Sequence, residues 1–97
     1  MKSVTGKKLD KYFEVTGAAL KKVKIAKEGK IDWKHAAEDF LDMAQRYYDD
    51  AKYFRKKGDY VTAFAALNYA HGWLDAGARL GLFYVGKDSK LFTVDDE

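Results

Sequence analysis

The side chains in this sequence best placed for chemistry are Asn68, His71 and Asp75, three and four positions apart. On a helix that spacing brings them to one edge. An aspartate one turn after a histidine raises the basicity of the imidazole and fixes its tautomer, as a general base requires. A nucleophile, oxyanion donors or a second acid would have to join them, and the surrounding sequence offers none. The plainer reading is a hydrogen-bonded histidine at the margin of a core, with Asp75 paired to Arg79. It outweighs the catalytic one, and the chain is read as non-enzymatic. The other histidine, His35, falls on the outer face of its helix. With no cysteine and no ligand set at metal spacing, no metal and no other cofactor is expected.

A second candidate is electrostatic. The net charge is +3, but residues 1–34 carry ten Lys against four acids, while residues 35–97 are acidic overall. Lys7, Lys11, Lys21 and Lys22 lie on one side of the first helical segment and could contact phosphates. No aromatic residues interleave with them and no nucleic-acid-binding motif surrounds them. A solvated helix face is the better account, and nucleic acid ranks below protein as a partner without being excluded.

The elements that hold these residues are helical. From Gly6 to Glu28, Leu9, Tyr12, Phe13, Thr16, Leu20 and Val23 recur on one face, with Thr5 as N-cap and Gly29 as the expected stop. Asp32 opens a second helix whose inward face includes Trp33, Phe40, Ala44, Tyr47, Ala51 and Phe54. On its outer face, Arg46 can pair with Asp42 or Asp50 one turn away. Gly58 ends this helix and Asp59 caps the next, a link so short that the two helices must form an antiparallel hairpin.

The third helix, read over residues 59–84, has too much apolar surface for one face. Tyr60, Phe64, Leu67, Ala70 and Leu74 form one stripe; Ala65, Ala66, Tyr69, Trp73, Ala76, Leu80 and Phe83 form another. A helix apolar nearly all round is central or lies at an interface. Gly72, Gly77 and Gly81 each cost helix propensity, up to about 1 kcal/mol, which makes sense where another backbone approaches. Tyr69, Trp73, Ala76, Leu80 and Phe83 are therefore the interface candidates, for a homodimer or another protein partner.

These readings give an all-α, up-and-down antiparallel three-helix bundle over residues 1–86. A tail over residues 87–97 either packs its Leu91, Phe92 and Val94 back or lacks fixed structure. No apolar run is long enough for a bilayer, so no membrane partner is expected. The N-terminus lacks the apolar core of a secretory signal, and the cytoplasm is the expected compartment. One Asn and one Gln among abundant charged residues is a thermophile-like bias.

Two resemblances bear on this. Ala51, Phe54, Ala63, Leu67 and Ala70 are similar in spacing to a tetratricopeptide hairpin, but there is one copy and no closing proline. AKYFRKKGDYVTAFAALNYAHGWLDAGARLGLF, residues 51–83, resembles the characteristic segment of a small archaeal family known as domain of unknown function 357. The resemblance implies an archaeal source and a three-helix bundle, with no activity or ligand attached. The expected role is a non-catalytic interaction or self-association module. The alternatives are a nucleic-acid-binding bundle using the lysine face, and a small ligand-binding protein or enzyme using Asn68, His71 and Asp75.

Overall fold

The computed structural model describes residues 3–87 and 90–92. It contains α1 (Gly6–Lys22), α2 (Trp33–Lys56) and α3 (Tyr60–Leu80), with no strand among the described residues. All three helices open on the side chains expected. Thr5 accepts from the Lys8 N–H at 3.1 Å, Asp32 from the His35 N–H at 3.3 Å and Asp59 from the Thr62 N–H at 3.1 Å. Each bond satisfies an amide that the first turn leaves without an intrahelical partner.

The stops are mixed. Gly58, at φ 79°, ends α2 as expected, and the Asp59 N–H donates back to the Phe54 carbonyl at 3.0 Å. Gly29 does not end α1: the helix stops at Lys22, with Val23 already extended. Val23 and Ile25 would lose χ1 freedom in a helix, and neither finds a surface to bury against; Ile25 is 97% exposed. At the far end, α3 stops at Leu80 because Gly81 takes the left-handed conformation, φ 76°. It is therefore shorter than the expected rod reaching Tyr84, although unbroken through Gly72 and Gly77.

Helices α2 and α3 pack as an antiparallel hairpin, with rising positions on one against falling positions on the other: Phe40 meets Trp73, and Tyr47 meets Tyr69. The seam is built from Ala44 and Ala51 on α2 and Ala63, Ala66, Ala70 and Gly77 on α3, all buried. Several recur every seven residues, the repeat that keeps a seam facing its partner. Such small residues let the backbones approach closely, but they fill the interior with methyl groups. No large side chain among the described residues is fully buried.

The all-α class holds, with three helices and strong packing between α2 and α3; the up-and-down arrangement of all three is not seen among the described residues. The α1 backbone packs against neither α2 nor α3 among the described residues, and no α1 residue is buried. Its apolar stripe, read as core, is open: Phe13 and Leu20 are each 71% exposed. The radius of gyration is 16.1 Å, against roughly 12.5 Å for a compact chain of this length. The alanine seam explains the large exposed surface. It satisfies the hairpin's own contact and leaves every large apolar side chain on one flank or the other.

Candidate functional site

The seam divides the hairpin into two faces. On one, Phe40 and Tyr47 of α2 interleave with Tyr69 and Trp73 of α3 as an edge-to-face ladder. Ring centroids lie 4.9 Å apart for Phe40–Trp73, 6.4 Å for Tyr69–Trp73 and 4.3 Å for Tyr47–Tyr69, with planes 81–89° apart. Such contacts set positive ring edges on negative ring faces and fix the rotamers of all four rings. The ladder is half covered by its own members; Tyr69 remains 52% exposed and Leu80 60%. Two shallow apolar grooves run along it, one between Phe40, Trp73 and Ala76, the other between Tyr47, Phe54 and Ala65.

Of the interface candidates, Tyr69, Trp73, Ala76 and Leu80 lie on or beside this face, as the periodicity requires. Ala66, read as part of the same stripe, is instead in the seam. Phe83 lies beyond the end of α3 and folds back against Gly77. A Cβ at that glycine would sit at 2.6 Å from one ring carbon. The small residues thus have separate causes: Gly77 seats a ring, and Gly81 supplies a positive φ. Nothing approaches Gly72 within 4 Å. The close backbone approach expected at these glycines is not seen at Gly72 or Gly81.

What the sequence reading missed is the contribution of Phe40 and Tyr47. Both were assigned to a core because they share α2's inward face. Their contacts confirm the face, and both remain half-buried, with no third helix packed over them among the described residues.

The opposite face carries the polar cluster. His71 Nε2 lies 3.7 Å from the Asp75 carboxylate, too far for a hydrogen bond, and half the His71 side chain is exposed. Asn68 and His71 border an open groove of about 410 Å³ with Leu41, Gln45, Tyr48 and Leu74. Asp75 is outside its lining, so the structure does not unite the three residues around one cavity. Phe92 from the tail stacks near His71, with centroids 6.3 Å apart. Phe92 therefore reaches this face. Val94 lies outside the described residues.

The charged residues are arranged simply. Arg46 takes Asp42 at 2.7 Å, not Asp50. Lys7, Lys11, Lys21 and Lys22 are all exposed along α1. His35 is exposed at the start of α2, and no group of three or more potential metal-ligating residues gathers among the described residues. No helix among them is long and apolar enough to cross a membrane.

Residues 11–83 match the model of a family described as protein of unknown function, DUF357. The match spans α2, α3 and most of α1, and the chain belongs to that family. No curated protein and no solved structure matches it.

Proposed function

We propose that the protein is a non-catalytic self-association module whose docking surface is the Phe40–Trp73–Tyr69–Tyr47 ladder. The observation that carries this reading is the position of those rings. Four aromatic side chains are locked against one another, and no third helix among the described residues packs over them. Aromatic residues held rigid before contact lose little entropy on binding and are typical interface anchors. The uncharged flank of α3 over Thr62, Ala65, Tyr69, Ala76 and Leu80 supports the same reading, because charge is depleted at interface centres. Cytoplasmic location and archaeal source accompany this proposal as the sequence implied them.

The test is the solution mass of the full chain by sedimentation equilibrium, beside Trp73→Glu and Tyr69→Glu. A dimer that each substitution weakens by about 2 kcal/mol or more, with helicity retained, supports the reading. Tyr69 is the decisive site, since its exposed ring can be replaced without opening the seam. A monomer at every concentration, with Tyr69→Glu indistinguishable from the parent, refutes it.

The open groove beside Asn68 and His71 favours a second reading, a small-ligand site on the other face. It predicts that fragment titrations followed by NMR perturb Asn68 and His71 together, and that His71→Ala removes the response. Scattered or absent perturbations would dismiss it.

A further inference from the structure

We infer that the groove on the His71 face is filled by the chain's own acidic segment, residues 93–97, extended along α3 with its carboxylates against Lys52 and Arg55. This face is opposite the ladder, so the inference stands apart from self-association and competes with a small ligand for the groove. The open groove of about 410 Å³ beside His71 shares Leu67 and Tyr48 with a second lobe of about 190 Å³, which Ala51, Ala63, Lys52 and Arg55 complete. Together they form one trough along the hairpin, apolar in its middle and basic at the end near the α2–α3 turn.

Charge complementarity selects the occupant. No aspartate or glutamate lines either lobe. Lys52 Nζ is held over the Tyr48 ring at 4.7 Å, and neither Lys52 nor Arg55 takes a carboxylate among the described residues. Cations so placed beside apolar surface favour an anionic partner. The residues after Phe92 are Thr93, Val94, Asp95, Asp96 and Glu97, with the apolar side chain ahead of the acidic ones, as the trough is ordered. The ladder face would repel them: Asp50 borders one of its grooves, and Asp39 shares that flank of α2.

Direction and spacing follow from residues already in place. After α3 stops at Leu80, Phe83 is seated at Gly77 and Phe92 at His71, so the chain has doubled back down α3 toward the basic end of the trough. Along α3, His71, Leu67 and Ala63 follow one another at four-residue steps of about 6 Å. An extended chain presents every second side chain to one face, at steps of about 6.6 Å. From Phe92 on His71, Val94 therefore falls over Leu67 and Asp96 over Ala63, in the lobe that Lys52 and Arg55 line. Asp95 and Glu97 flank it within reach of the same cations. The apolar surface covered in this way is that of Leu67 and Tyr48, 42% and 47% exposed.

The chain has no cysteine, so Glu97→Cys carries a single nitroxide, and the amides it broadens in NMR spectra locate residue 97 in the full-length protein. Broadening is expected at Lys52, Arg55 and Leu67 and not at Phe40 or Trp73. Lys52→Glu/Arg55→Glu abolishes it, and adding Asp95→Lys/Asp96→Lys to that variant restores it, which a loss of fold would not allow. Broadening that is absent, spread evenly over both faces, or indifferent to the charge reversals overturns the inference. So does an isotope-labelled chain without nitroxide that is broadened by a spin-labelled one, since the segment then lies on a second copy.

Discussion

Gly72 and Gly77 lie five positions apart in one unbroken helix, and their replacement by alanine should act in opposite directions. In a helix interior, Gly→Ala stabilises by about 0.5–1 kcal/mol, because alanine has less backbone freedom to lose on folding. Nothing approaches within 4 Å of the position a Cβ would take at Gly72, so Gly72→Ala should deliver that gain. At Gly77 the new methyl would occupy the space of the Phe83 ring. The ring must leave, and a half-buried phenylalanine forfeits about half of the roughly 1.5–3 kcal/mol that full burial confers. The two variants should therefore differ by about 1–1.5 kcal/mol. For a domain of this size that is a gap of roughly 5–10 °C in Tm, readable by circular dichroism. In a Phe83→Ala background the obstacle is gone, and Gly77→Ala should recover the gain seen at Gly72. If Gly77→Ala raises Tm as much as Gly72→Ala in the parent, Phe83 is not seated on Gly77 and the account of this glycine is wrong.

Two further outcomes test the hairpin itself. Ala70→Leu puts three extra carbons into the seam and should cost about 1–3 kcal/mol through overpacking; a neutral result in chemical denaturation would mean the helices are not held at alanine distance. The Asp59 carboxyl is held below its usual value of 3.8 by the Thr62 side-chain and backbone hydrogen bonds. Its contribution is thus complete above the unfolded value and lost as pH falls through the lower folded one. The difference in Tm between the parent and Asp59→Ala should be constant from neutral pH to about pH 5 and shrink below that; a difference that grows on acidification would contradict the capping geometry.

Much of the local structure was legible because its causes are local. Thr5, Asp32 and Asp59 cap the helices they precede since a short oxygen-bearing side chain is what a first turn lacks. Gly58 and the absence of any linker fix the hairpin. The excess apolar surface of α3 was also visible; Tyr69, Ala76 and Leu80 are exposed and Trp73 is half-buried. What periodicity could not reveal is which stripe is covered, since it records shared faces and not neighbours. Phe13 on α1 and Phe40 on α2 carry the same signal, yet one is 71% exposed and the other packs edge-on against Trp73. The His71–Asp75 spacing was read correctly, while their 3.7 Å separation and the exclusion of Asp75 from the groove depend on rotamers that spacing does not set.

The alanine seam has a consequence for how this protein should melt. Its two helices meet through methyl groups, so much of the chain's capacity to remove oily surface from water resides in side chains that face outward. Whatever settles on those side chains adds directly to the free energy of the folded form, by mass action. Where a second copy is what settles there, as proposed, the midpoint of unfolding should climb with protein concentration, and dilution alone should loosen the fold.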